Sequence, residues 1–157
     1  DFIKLAQVKK EQGTGTAYPG GQVLKGEEIV GLDVDVLVTA AVPDLVTEAN
    51  KDKIRAKLVV EGSNIPMSAE IEEYLHEKGV LVVPDFVANA GGVISSYVEY
   101  KGGSVEEMFK LVEKKVVKNA AKVLRVAKKQ GIKPRDAAMQ IALERIKKRM
   151  EKKAANQ

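Results

Sequence analysis

Three short peptides carry the residue types that receive a small ligand. Thr39-Ala40-Ala41-Val42-Pro43, Glu61-Gly62-Ser63-Asn64, and Pro84-Asp85 running on to Asn89-Ala90-Gly91-Gly92 each follow a run of aliphatic residues. Small side chains such as those of Ala40 and Ala41 let a ligand lie against the backbone. The amides of Asn64 and Asn89 each offer a donor and an acceptor, the two functions that recognition of a carboxamide or a carboxylate requires. Any one of these peptides is explained as well by turn formation, since Gly, Asn and Pro favour loops anyway. Three on one sheet edge point to a ligand crevice, because open α/β sheets bind ligands beyond the carboxyl ends of their strands.

The other polar residues promise less. His76, the one histidine, lies between Leu75 and Glu77 in a charged segment and reads as a surface or helix-end residue. Asp33 and Asp35 alternate outward and suit a charged edge or turn better than paired acid–base work. Glu106 and Glu107 are helix-start charges, and Met139 and Met150 are fillers of a core or interface. No cluster has metal-ligand spacing. No lysine sits in a small apolar motif that would depress its pKa. Gly13-Thr14-Gly15 has no strand before it, and Gly91-Gly92 is no dinucleotide fingerprint either.

The elements that must position the three peptides follow from hydrophobic period. Residues 32–39 begin with alternation and end in an aliphatic run, predicting a strand buried on both faces; residues 57–61 and 80–83 predict two more strands. Helices are predicted over 2–12, 44–54, 69–78 with Ser68 as N-cap and Gly79 as stop, and 88–100. Ser104-Val105-Glu106-Glu107 is a capping box for a long helix with its stripe on Val105, Met108, Val112, Val116, Ala120, Val123 and Ala127. Gly131 ends it, and Pro134 opens a last helix with Met139, Ala142, Leu143, Ile146 and Met150 as its apolar stripe. Strands separated by helices predict an α/β fold, a partial doubly wound, Rossmann-like parallel sheet over residues 1–100, with residues 101–157 as a C-terminal helical layer or arm.

Composition excludes several classes. The 157 residues contain no cysteine, so there is no disulfide, thiolate metal site or cysteine nucleophile. No apolar run approaches the ~20 residues of a membrane helix. The start resembles no signal peptide; a cytoplasmic protein without membrane contact is expected. Residues 1–100 hold 9 Lys/Arg against 16 Asp/Glu, and residues 101–157 hold 17 against 6. With no aromatic or glycine-rich recognition pattern beside it, the basic excess reads as a solvated helical face rather than a nucleic-acid site.

Several linked runs resemble the glutamate dehydrogenases. They are Leu58-Val59-Val60-Glu61-Gly62-Ser63-Asn64, Val82-Val83-Pro84-Asp85, Ala88-Asn89-Ala90-Gly91-Gly92-Val93 and Ser96-Tyr97-Val98-Glu99. Tyr18-Pro19, residues 32–38 and Arg135-Asp136-Ala137-Ala138 extend the likeness over nearly the whole chain. The match is to the later half of that family's cofactor-binding domain, with the leucine, phenylalanine and valine dehydrogenases as nearest relatives. The sequence departs from the family at Ser63, where Ala is usual, and at Ile65, where Gly or Met is common. Residues 100–103 also turn straight into the long helix where the family continues through an aromatic-rich segment.

The resemblance implies oxidative deamination of L-glutamate to 2-oxoglutarate, with hydride passing to NAD or NADP. It implies Ala40 and Ala41 against the cofactor's ribose and phosphate side, and Asn64 and Asn89 near the nicotinamide and its ribose. Val93 and Ser96 would face the amino-acid or 2-oxo-acid substrate, the Ser96 hydroxyl donating to the distal carboxylate. The family's catalytic Lys and Asp and its glycine fingerprint would precede Asp1, so this chain alone is expected to be inactive and to be part of something longer. The competing reading is a stand-alone nucleotide- or protein-binding relic that self-associates to cover its sheet edge; a homo-oligomer is expected either way.

Overall fold

The computed structural model describes residues 1–155. Three short strands, β1 (Val36–Thr39), β2 (Leu58–Glu61) and β3 (Leu81–Val83), form one parallel sheet in the order β1-β2-β3. Val36 pairs with Leu58, and Leu58 with Leu81. Six helices accompany them among the described residues: α1 (Phe2–Gln12), α2 (Ala69–Glu77), α3 (Asp85–Ala88), α4 (Gly91–Tyr100), α5 (Val105–Gln130) and α6 (Pro134–Ala154). The architecture is the expected partial doubly wound α/β sheet.

Side chains alternate across the pleat, so β2 and β3 each feed two cores, while β1 feeds one. Leu37, Val59 and Val82 pack with Ile71 and Leu75 of α2 and with Val30, Val46 and Ala56 from the connecting segments. On the other face Val83 packs with Val123 and Ala127 of α5 and with Ala137, Ala138 and Ile141 of α6. These contacts lay parts of α5 and α6 against the sheet. Ser104 and Glu107 form the expected reciprocal cap, and Gly131 ends α5 in a left-handed conformation.

Four expectations are corrected. No α-helix spans 44–54; the segment is turns with one 3-10 turn at Lys51–Lys53. Asp44 has a φ of 50°, and Asn50 takes the helix's hydrogen bonds for itself, accepting from Thr47 N and donating to the Leu45 carbonyl. The first strand starts only at Val36, since Val34 N–H closes a tight turn on Leu32 O. It is not buried on both faces: Val36 and Val38 are about half exposed, because β1 is an edge strand beyond the reach of α5 and α6.

The helix over 88–100 is broken into α3 and α4 at Asn89 and Ala90. In α6 the buried face is Pro134, Ala137, Ala138 and Ile141, while Met139, Leu143, Ile146 and Met150 face outward. Both rows have helical spacing. The small alanines win because they let the helix approach β3 and α5 closely.

Candidate functional site

The three peptides that follow the strands meet. Ala40, Ala41, Asn64, Asn89, Val93 and Ser96 all line one open cleft of about 680 Å³ beyond the carboxyl ends of β1 and β2, together with Pro43, Gly62, Ser63 and Gly92. Ser63 N–H donates to Thr39 O at 2.6 Å and its hydroxyl to Val42 O at 3.0 Å, tying the peptide after β2 to the one after β1. Gly62 permits that approach: a Cβ there would lie 3.2 Å from the Ala40 Cβ and 3.4 Å from Thr39 O. Asn89 Nδ2 donates to Asn64 Oδ1 at 2.7 Å, joining the α3–α4 break to the same floor.

That amide pair has a consequence for recognition. The Asn64 NH₂ and the Asn89 side-chain oxygen make no other hydrogen bond among the described residues. A donor and an acceptor therefore remain on this bonded pair, the two functions that a carboxamide needs. The amino end of α4, with its partial positive charge, opens at Gly91 and Gly92, and a Cβ on Gly92 would meet nothing within 4 Å. Val93 is 78% exposed on the rim. The Ser96 hydroxyl donates to Gly92 O at 3.2 Å, so it serves its own helix in this state.

None of the ten lining residues carries a titratable side chain. The cleft can orient and hydrogen-bond a ligand but has no acid or base of its own. His76 lies in the last turn of α2 and does not line this cleft. Asp35 pairs with Lys57 in solvent.

A charged cluster beneath the cleft escaped the sequence reading. Arg135, in the first turn of α6, donates from Nη2 to Glu61 at 2.8 Å and to Asp85 at 3.2 Å, and from Nε to Glu72. Glu61 and Glu72 are 0% and 2% exposed and Asp85 9%. Glu61 keeps the two-residue alternation of Val59, and Glu72 shares the face of Ile71 and Leu75. Carboxylates at positions where the period demands apolar residues were the available signal. Burial pushes the Glu61 carboxyl up to about 7, opposed by the Asp85 N–H and reinforced by Glu72. Burial also raises Glu72, against the pull of Arg135. Burial works on Asp85 too, but the N–H groups of Ile65 and Phe86, with Arg135, hold it below the usual carboxylate range.

Ile65, beside the cleft, has a φ of 46°, a conformation that β-branched residues rarely adopt. It is kept there by its N–H donating to Asp85 at 3.1 Å and its carbonyl accepting from Asp44 N–H at 3.0 Å. The side chain is 62% exposed and gains little by burial. Left-handed strain costs an L-residue about 1–2 kcal/mol, and glycine's extra freedom when unfolded returns about 0.5–1 kcal/mol of that. Ile65→Gly is therefore expected to raise the unfolding free energy by a net of about 0.5–1 kcal/mol, read as a higher urea midpoint. A lowered midpoint would show that the isoleucine side chain is held by contacts worth more than the strain.

The sequence and the fold are shared with known proteins. The sequence profile of the Glutamate/Leucine/Phenylalanine/Valine dehydrogenase family matches residues 1–154. Glutamate dehydrogenase of Aeropyrum pernix is 42% identical over 93% of this chain and 37% of its own length. The NADP-specific glutamate dehydrogenase of Saccharolobus shibatae is 36% identical over 96% of this chain and 37% of its own. The chain thus spans little more than a third of these curated relatives. A crystal structure of hetero-hexameric glutamate dehydrogenase from Thermus thermophilus, in a leucine-bound form, superposes with a TM-score of 0.77 at 32% identity, covering 92% of this chain and 35% of that one. A profile match over almost every residue, on a parallel sheet of the same shape, places this chain in the glutamate/leucine/phenylalanine/valine dehydrogenase family.

Proposed function

We propose that the chain supplies the nicotinamide side of the active site of an NAD- or NADP-dependent amino-acid dehydrogenase, with L-glutamate as the substrate. The observation that carries this reading is the single cleft lined by Ala40, Ala41, Asn64, Asn89, Val93 and Ser96, with the amide pair on its floor. The fit to a nicotinamide nucleotide rests on the donor set and on the open space over Gly92, which leaves room for a flat ring against the backbone. When bound, such a cofactor supplies the hydride acceptor.

The chain's own residues position rather than react. Asn64 and Asn89 hold a carboxamide and thereby fix which ring face is presented; Ala40 and Ala41 leave the ribose side unobstructed. Val93 shapes the substrate side, and the Ser96 hydroxyl, by rotating off Gly92 O, donates to a distal carboxylate. Proton transfer falls to groups outside the cleft's ten lining residues, none of which titrates. The NADP-specific glutamate dehydrogenase among the relatives supports NADP and glutamate, and the hetero-hexamer of the Thermus protein supports an oligomeric assembly.

The test is an NMR titration of the ¹⁵N-labelled chain with NADH and, separately, with NADPH. The expected result is saturable movement of the Ala40, Gly62, Asn64, Asn89 and Gly92 resonances. No movement with either NADH or NADPH at millimolar concentration, or movement confined to the α5–α6 face, would overturn the reading.

A further inference from the structure

The buried charge cluster does not touch the cleft, yet it is wired to both of its asparagine turns through Asp85. The Asp85 carboxylate accepts from Ile65 N–H at 3.1 Å, one residue past Asn64. The Asp85 carbonyl accepts from Asn89 N–H at 2.7 Å. Asp85 is itself fixed twice: its N–H donates to Glu61 at 2.8 Å, and its other carboxylate oxygen accepts from Phe86 N–H at 2.9 Å and from Arg135 at 3.2 Å. One guanidinium, from the far end of the sequence, thus closes a chain of bonds that ends at each member of the Asn64–Asn89 pair.

The charges in that chain do not balance. Glu61 and Glu72 take adjacent donors of the same guanidinium, Nη2 and Nε, so two buried carboxylates lie side by side with Asp85 next to them. The other charged groups facing them are Lys133, bonded to the exposed Glu73, and Asp136 beside Lys133. β1 contributes only the uncharged Thr39 to this end of the sheet, and none of the ion pairs made by Arg135 reaches α5. Glu61 Oε1 and Glu72 Oε1 are buried with no hydrogen-bond partner. Like charges so close, with an oxygen each unsatisfied, favour uptake of one proton from solvent onto the pair.

Resting on the reading of the cleft given above, we propose that Arg135 is a positioning residue for it. Together with one exchangeable proton on the Glu61–Glu72 pair, it sets the spacing of the Asn64 and Asn89 side chains. With the proton on, two ionised carboxylates rather than three share Arg135, which holds Asp85, and through it both turns, in the observed register. With the proton off, two ionised glutamates compete for one edge of the guanidinium, and the hold on Asp85 loosens. The pull of burial on Glu61 places this exchange around neutrality, at about 7.

The experiment reads the side-chain amide resonances of Asn64 and Asn89 between about pH 5 and 9, without cofactor, in a His76→Gln background that removes the one histidine. The two asparagines are expected to titrate together with one midpoint near 7. Glu61→Gln, which keeps the acceptor for Asp85 N–H and Arg135 while removing the proton, is expected to flatten both curves at their low-pH positions. Arg135→Lys keeps the charge but not the two-donor edge and is expected to shift both resonances at every pH. Curves that are flat in the parent, or that persist unchanged in Glu61→Gln, would overturn the inference. An intact pH response with no binding of NADH or NADPH would instead overturn the cofactor reading and leave this one standing.

Discussion

Arg135→Met is expected to lower the unfolding free energy by about 3–5 kcal/mol at neutral pH, the largest effect of any single surface-reaching residue in the chain. The arginine is itself 28% exposed, so the loss does not come mainly from its own burial. It comes from the acids left behind, whose side chains are 0%, 3% and 12% exposed and which then have no cation among them. Methionine keeps most of the aliphatic stem and removes the guanidinium, including its place 5.4 Å from the Phe86 ring centroid.

Two further results follow from the same physics. Glu61, raised above its free value, contributes stability in its protonated form below about 4.5, and that contribution is lost as pH rises through about 7. The penalty of Arg135→Met should therefore be larger at the alkaline end of that window than at the acid end. Replacing the pair as well, in Arg135→Met with Glu61→Met and Glu72→Leu, should recover part of the loss, because apolar residues remove the two glutamate charges while Asp85 N–H loses its acceptor. Asp85 is retained since it also serves Ile65 and Phe86 N–H. Urea denaturation at two pH values decides it. A loss under about 1 kcal/mol would show the cluster behaving as a screened surface pair.

The parts of this molecule that can be read from its sequence are those whose signal is local. Each strand announced itself as an aliphatic run, and the ligand peptides were the residues directly after those runs, so Ala40, Ala41, Asn64 and Asn89 could be named from position, while Val93 and Ser96 came from the family resemblance. The Ser104 box and the Gly131 stop were equally local. Where two local signals compete, the reading failed. Residues 44–54 have helical composition, but Asn50 and the backbone bond from Val46 N–H to Pro66 O draw them into turns. Along α6 two apolar rows exist, and only the close approach to β3 and α5 selects Ala137 and Ala138 over Met139 and Leu143. The charge cluster was out of reach for another reason: Arg135 and Glu61 are 74 positions apart, and each alone looks like an ordinary charged residue. Only the fold tells that β2, α2, α3 and α6 bring their charges to one place.

Gly92→Leu is expected to abolish nicotinamide-nucleotide binding while leaving the protein as stable as before. Gly92 stands in the first turn of α4, at an ordinary helical position, and lines the cleft with nothing within 4 Å of its missing Cβ. A leucine there meets no protein atom at its root, so no strain opposes folding; helix propensity favours it over glycine by up to about 1 kcal/mol. Its branched end occupies the space that a ring must enter to reach the Asn64–Asn89 pair. Losing both the ring's contact with the backbone and its amide hydrogen bonds should weaken binding at least about a hundredfold, equivalent to ~2.7 kcal/mol. The substitution is informative because the two readouts separate. Thermal unfolding reports whether the fold survived, and NADH titration followed by protein resonances reports whether the cleft did. Gly62→Leu would not serve: its Cβ already lies 3.2 Å from the Ala40 Cβ, so lost binding there could mean a displaced loop. If Gly92→Leu binds NADH as the parent does, the nucleotide sits elsewhere on this surface and the amide pair must recognise something else.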